Sequence, residues 1–188
     1  MYASKRKSGF SLGTVHADRD GRYIIAKVNI GHEQLFVINI YPPNKGAEQE
    51  LFIRSLGANL ISTTDIMKII ITGDWNGSLF PKDKCGGLWW KETNYRNSII
   101  GIMEELDLVD IYRKLHPSTK VFTYESKSLK LKSRIDYFLV FNIIAVNWHQ
   151  EQRSDHTSHL TTKQFSCLLK SKGNLKGARD RGNSIINY

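Results

Sequence analysis

The chain has 188 residues, 40% of them hydrophobic and 24% charged, which is the size and composition of one folded domain. Its two cysteines, Cys85 and Cys167, exclude a multi-bridge disulfide scaffold and a cysteine-rich zinc module. The basic N-terminus has no apolar segment after it, and the longest near-apolar run, Tyr137 to Val146, is shorter than the roughly 18–20 residues of a membrane span. We therefore predict a nuclear or cytoplasmic protein with no secretion signal and no membrane insertion.

The net charge of +9 is concentrated at the two ends of the chain. Lys5, Arg6 and Lys7 carry three positive charges, and residues 157–188 carry six cationic side chains against one acidic side chain. Residues 8–156 are left with a net charge of +1. Basic ends suit a polyanion such as nucleic acid, although solvated chain ends are the simpler explanation of the charge by itself.

A β-hairpin is the first predicted element, because Asp18–Gly21 ends in a strong Asp-Gly turn signal between strands over Phe10–Ala17 and Tyr23–Val28. A third strand, Leu35–Tyr41, ends at two prolines, and the periodicity of Glu48–Ser62 then predicts a helix. The apolar positions of this helix are Leu51, Phe52, Leu56 and Leu60.

Lys68–Thr72 is predicted as a short buried strand, closed by a turn over Gly73–Gly77. A loop over 78–92 separates it from a second helix, Asn97–Leu106. The apolar face predicted for that helix comprises Ile99, Ile100, Met103 and Leu106. Three further strands are predicted over Val121–Glu125, Ile135–Phe141 and Ala145–Gln150. Strands alternating with helices indicate an α/β layered domain in which sheets form the core.

Polar side chains recur at the ends of these apolar strands. They are Tyr41, Asp74, Asn76, Asp136, Asp155 and His156. A carboxylate in an apolar strand is costly unless it is paired or binds a metal ion, and strand ends that meet at one rim form a common kind of site. Each residue also has a purely structural interpretation. Gly73–Asn76 suits a simple turn, and Asp136 can be satisfied by Arg134 or by backbone donors.

The order of the motifs is more specific than any one of them. IYPPN, ITGDWN, LVDIYRKLHP with FTYES, SRIDYFLV and SDH follow one another within residues 23–156. This order resembles the endonuclease/exonuclease/phosphatase superfamily, and in particular the endonuclease domain of LINE-type non-LTR retrotransposons. GDWN is similar to the family's Gly-Asp-Phe-Asn, with Trp75 at the aromatic place. Leu108–Pro117 followed by Thr123 is typical of the retroelement branch and not of the lipid or inositol phosphatases.

The resemblance implies a fold, an activity and partners. The fold is a four-layer α/β sandwich, two packed sheets flanked by helices, within residues 1–165, and residues 166–188 form a basic flexible tail. The activity is divalent-metal-dependent DNA endonuclease chemistry, a phosphodiester hydrolysis with Mg²⁺ or Mn²⁺ as cofactor. The partner is DNA, and the parent element carries a fused reverse transcriptase domain.

Catalytic roles are implied for four residues that match the family's motifs. Asp74 orients the attacking water, Asn76 contacts a phosphate oxygen, and His156 is the catalytic histidine. Asp136 orients His156, since a general base needs an orienting partner.

Three more residues are implied to bind metal or substrate. Asp155 contributes to divalent-metal binding, as the developing charge requires a hard cation with oxygen ligands. Tyr41 hydrogen-bonds the phosphate, and Thr123 lies near the DNA-contacting face.

Trp89 and Trp90 suit either stacking on bases or capping of the core from a loop, and capping is favoured.

The sequence departs from the family at both ends. The family's first strand carrying an Asn, and the next strand ending in Gln-Glu-Thr with its metal-binding Glu, have no match here. Thr157–Thr162, with His159 inside it, stands where the family has an apolar final strand. We therefore expect an N-terminally truncated domain that nicks DNA weakly. The alternatives are a non-catalytic nucleic-acid-binding remnant of a retroelement and, less favoured, a phosphomonoesterase.

Overall fold

The computed structural model describes residues 10–30, 33–44, 46–63, 68–87 and 90–142. All of them belong to one compact unit, Met1–Val146. The predictions for the strand Ala145–Gln150, for Asp155 and His156, and for the tail lie outside the described residues, and the boundary between residues 165 and 166 stays a prediction.

In the described part of the chain, three consecutive strands come first and three come last, and strands and helices are interspersed between them. The strands are β1 Phe10–Ala17, β2 Tyr23–Ile30, β3 Glu33–Ile40, β4 Ile69–Asp74, β5 Lys84–Gly86, β6 Leu108–Asp110, β7 Tyr124–Ser126, β8 Leu131–Ser133 and β9 Asp136–Phe141. The helices are α1 Gly46–Thr63, α2 Asn94–Glu105 and α3 Ile111–Leu115, with a 3₁₀ helix over Pro81–Asp83. Within these residues, no helix is long and apolar enough to cross a membrane.

Two sheets form the framework. The larger sheet is mixed and has the strand order β1-β2-β3-β4-β9-β6, and the smaller one has the order β5-β8-β7. Among the described strands of the larger sheet, only β3 and β4 pair in parallel, with α1 as the crossover between them. The predicted α/β class, with two sheets and flanking helices, is therefore confirmed.

The core lies between the large sheet and the helices α1 and α2. α1 buries Ile53, Leu56 and Leu60, which recur at helical spacing against β3 and β4. Leu51 is 66% exposed, so its predicted place on the apolar face was wrong. Gly57 lets the two helices approach closely, since a Cβ atom there would lie 2.9 Å from Ile102 Cδ1.

Several boundaries differ from the sequence-based expectations. β4 continues through Gly73 and Asp74, which had been predicted as part of a turn. The predicted strand Val121–Glu125 is the shorter β7, and α2 begins three residues earlier than predicted, where Thr93 Oγ1 accepts from Arg96 N at 3.1 Å. β5, β6, β8 and α3 were not predicted, because three to five residues carry too little periodicity.

Candidate active site

The ends of three neighbouring strands bring three of the predicted side chains to one edge of the large sheet. Ile40 is in register with Gly73 in the parallel pair β3–β4, so Tyr41 directly follows β3 beside Asp74 at the end of β4. Asp74 is in turn paired with Asp136, the first residue of the antiparallel neighbour β9. Side chains directly opposite one another on paired strands are close enough to interact.

Gly73 allows the strands to come this close. Its φ is +144°, and a Cβ atom built on it would lie 2.0 Å from the carbonyl oxygen of Ile40. Any other residue would push β3 and β4 apart just before Asp74. The glycine of the GDWN motif is therefore a steric requirement of the site.

Trp75 anchors the segment that follows Asp74. Its side chain is buried, its ring stacks on that of Tyr137 with centroids 4.9 Å apart, and its Nε1 donates to Tyr137 O at 3.2 Å. Its backbone N donates to Ile135 O at 2.7 Å. These contacts tie the residues after β4 to β9 and to the residue before it.

Asn76 is held in a left-handed backbone conformation, with φ 50°. Its backbone N donates to Asp74 Oδ1 at 2.9 Å, and its Nδ2 donates to Pro42 O at 2.9 Å. Asparagine tolerates this conformation better than most residues, because its short side chain bonds locally. The amide of Asn76 thereby joins the end of β4 to the chain after β3.

Tyr95 of α2 supports this turn from the core. Its hydroxyl donates to the carbonyl oxygen of Trp75. Burial, and secondly the charge of Asp74, raises the pKa of Tyr95 well above its ordinary value. The hydroxyl therefore stays protonated and acts as a donor over the whole neutral range.

Thr123 positions the start of β9. Its Oγ1 accepts two backbone hydrogen bonds, from Ile135 N at 3.0 Å and Asp136 N at 3.1 Å. Its own N donates to Ser133 O at 2.9 Å. The structure thus gives the hydroxyl a role within the fold, and its predicted place near DNA stays a prediction.

A buried network of four charged side chains, one of them two residues before Asp136, was not predicted from the sequence. Asp83, Asp110, Arg113 and Arg134 are all at most 7% exposed. The Nε atoms of Arg113 and Arg134 each lie 2.9 Å from Asp83 Oδ1, and Arg134 Nη2 also donates to Asp110 Oδ2. Burial raises the pKa of Asp110, and the charge of Arg134 opposes this rise.

This network corrects one structural interpretation of the sequence. Arg134 had been considered as a partner for Asp136, but its guanidinium pairs with Asp83 and Asp110 instead. No local signal distinguished Asp83, which is fully buried in a segment predicted to be loop. Its partners are 30 and 51 residues away along the chain.

The chemistry of the edge suits a hard cation. Carboxylates of Asp74 and Asp136 stand on paired strand ends, and Mg²⁺ is commonly held by one or two carboxylates together with substrate phosphate. In the described ranges, no group of three or more His, Cys, Asp or Glu side chains is arranged to hold a metal ion by itself. The remaining predicted site residues, Asp155 and His156, lie outside those ranges.

Comparisons with known proteins agree on the fold. An AP endonuclease from Archaeoglobus fulgidus superposes with a TM-score of 0.59 at 23% identity, covering 72% of this chain and 61% of that one. The endonuclease domain of TRAS1, a telomere-specific non-LTR retrotransposon, gives 0.51 at 15% identity, covering 72% and 68%. The chain thus spans about three fifths of the first of these structures and two thirds of the second.

One protein that is similar in sequence to this chain is a transposon protein. The uncharacterized 149 kDa protein of transposon TX1 from Xenopus laevis is 30% identical over 108 residues, which is 55% of this chain and 8% of that protein. No protein-family model matches the chain. Taken together with the strand order and the placement of GDWN and SRIDYF, these similarities show that the described part of the chain has the fold of the endonuclease/exonuclease/phosphatase superfamily.

Proposed function

We propose that this chain is a divalent-metal-dependent DNA endonuclease domain of retrotransposon type. The observation that carries the proposal is the convergence of Tyr41, Asp74 and Asp136 at the ends of three adjacent strands. The similarity to an AP endonuclease, to a retrotransposon endonuclease domain and to a transposon protein supports it. DNA is then the partner, and a reverse transcriptase domain belongs to the parent element.

Mg²⁺ or Mn²⁺ is the proposed cofactor. Asp155 would hold it, and Asp74 would supply a second carboxylate. The ion supplies charge neutralisation for the phosphate that is attacked. With so few matched carboxylates, we expect weak metal binding and slow nicking at low millimolar Mg²⁺.

Asn76 and Tyr41 are suited to hold the phosphate. One N–H of the Asn76 amide is used on Pro42 O, and an amide nitrogen has two N–H donors, so the second is proposed to bind a phosphate oxygen. Tyr41 is 48% exposed, and its backbone N is fixed by Arg22 O at 2.8 Å. Its phenol can therefore donate to a substrate while its main chain stays in place.

His156 is proposed to accept the proton of the attacking water, and Asp136 to orient His156. As water attacks phosphorus and the new P–O bond forms, His156 would take the proton of the water. The bond to the leaving sugar oxygen breaks, and that oxygen takes up a proton from solvent water to become a hydroxyl. Asp136 would fix the orientation of the imidazole. The position of Asp136 is set by the hydrogen bonds that its own N and the N of Ile135 donate to Thr123 Oγ1, and by pairing with Asp74.

Nicking of supercoiled plasmid tests this proposal. We expect metal-dependent nicking by the wild-type protein, and its loss in Asp74→Asn and His156→Ala. Asp20→Asn is the matched control, because Asp20 is exposed in the β1–β2 turn and Asn-Gly suits that turn as well. Plasmid that is bound but never nicked would support the non-catalytic nucleic-acid-binding remnant instead.

A further inference from the structure

Helix α1 carries apolar side chains on its outer side as well as on the side that packs on the sheet. Leu51 is 66% exposed and Ile61 is 44% exposed, whereas Ile53, Leu56 and Leu60 are in the core. A surface helix of a globular protein normally presents polar side chains to water. The outer side of α1 is therefore unusually apolar for a helix that only covers a core.

The exposed side of α1 has the spacing of a coiled-coil seam. Leu51, Arg54, Ala58 and Ile61 are all exposed, and they follow one another at intervals of three, four and three residues. This spacing places them in one line along the helix, at the positions that coiled-coil helices present to each other. When a second copy of the line is reversed end to end, Leu51 stands opposite Ile61 and Arg54 stands opposite Ala58. Apolar side chains thus meet each other, and the long arginine meets a small alanine.

A groove of about 660 Å³ between α1 and α2 lies along this line of residues. Its lining includes the small residues Gly57, Ala58 and Gly101. A Cβ atom at Gly101 would meet nothing within 4 Å. The groove therefore has room for side chains that a neighbouring helix inserts.

The two helices that form the groove run in the same direction. α1 leads into β4 and α2 leads into β6, and both strands are antiparallel to β9. Gly57 of α1 is level with Ile102 of α2, because a Cβ atom on the glycine would lie 2.9 Å from Ile102 Cδ1. One turn further along α2, Glu105 therefore lies beside the stretch of α1 that contains Ala58 and Ile61.

Both signs of charge line the groove. Arg54 Nη2 lies 2.9 Å from Glu50 Oε1, and Glu105 is exposed on the α2 side. With the second copy reversed, its Arg54 stands opposite Ala58 and hence beside Glu105. Two-fold symmetry forms this ion pair twice, since the same surface is used by both copies. The charges of the groove are therefore complementary to a second copy of the same surface.

We propose that this face is a self-association surface, on which α1 of one copy packs antiparallel on α1 of a second copy in a two-fold symmetric dimer. Leu51 of each copy is buried against Ile61 of the other, and Arg54 of each copy pairs with Glu105 of the other. A contact of this limited size suits dissociation in the micromolar range. The described lining of the groove contains none of the candidate active-site residues, so the proposal goes beyond the proposed function and does not depend on it.

Sedimentation equilibrium of the full chain over the micromolar range tests the proposal, with a reducing agent present because Cys85 is exposed. We expect a monomer–dimer equilibrium. Glu105→Arg should raise the dissociation constant about tenfold, because it places a like charge beside Arg54 of the second copy. Leu51→Gln should raise it by about tenfold or more through lost apolar burial. Glu104→Arg is the matched control, since it makes the same change of charge at an exposed neighbour outside the groove lining, and it should leave the constant unchanged.

An exchange of the two charges tests the alignment of the helices. Arg54→Glu alone should weaken the dimer as Glu105→Arg does, and the double variant should restore the dissociation constant to within about threefold of the wild type. A wild-type chain that stays monomeric over this range overturns the proposal. So does a dimer that Leu51→Gln leaves unchanged, or a double variant that shows no recovery. Circular dichroism of each variant shows that the fold is kept, and recovery in the double variant excludes unfolding as the cause of dissociation.

Discussion

Asp83→Asn should be one of the most destabilising conservative substitutions in this chain. Asp83 is fully buried and accepts from the Nε and Nη2 atoms of both Arg113 and Arg134. The neutral side-chain amide of this variant would leave two buried guanidinium charges with Asp110 as the remaining carboxylate of the network. Breaking a buried ion pair in this way costs about 3–5 kcal/mol, a large share of the roughly 5–15 kcal/mol by which a domain is stable.

Urea unfolding followed by circular dichroism measures this loss. With a slope of about 2 kcal/mol per molar urea, the midpoint should fall by roughly 2 M. Glu125→Gln is the matched control, because Glu125 pairs with Lys132 at 3.1 Å while both side chains stay about half exposed. Exposed pairs contribute less than about 1 kcal/mol. If Asp83→Asn lowers stability no more than Glu125→Gln does, the buried network does not stabilise the fold as argued.

Three further predictions follow from single contacts. Thr123→Val should slow nicking more than Thr123→Ser, because serine keeps the hydroxyl that accepts from the backbone N of Asp136 and valine lacks it. A loss of stability in Thr123→Val without any change in nicking would contradict this. Tyr137→Phe should leave the free energy of unfolding unchanged or raise it by about 1 kcal/mol. The reason is that the buried Tyr137 hydroxyl has no hydrogen-bond partner among the described residues. Marked destabilisation of the variant in urea would refute this. Burial raises the pKa of Tyr95, so the folded state keeps a proton that the unfolded state releases above about pH 10. Stability should therefore fall as pH rises beyond that value, and urea titrations should show a shallower fall in Tyr95→Phe.

Much of the candidate site was predictable because its residues form local motifs. GDWN combines a glycine, a carboxylate and an amide within four positions, and the structure uses the glycine for strand approach and the amide for the turn. Tyr41 before two prolines marks the end of β3 in the same way. The motifs do not show how close to one another they lie in the folded chain. Asp74 and Asp136 are paired only because β9 inserts between β4 and β6.

The sequence by itself determined the hairpin around Asp18–Gly21, the two long helices and the buried strand β4, because each has a turn signal or an apolar period within a few residues. Tertiary structure alone decided which helix positions are buried, so that Ile53 is in the core and Leu51 is exposed. It also decided that Asp83 is buried between Arg113 and Arg134. A charge enters a core only when partners from distant segments arrive to pair with it, and no local pattern records where those partners will be.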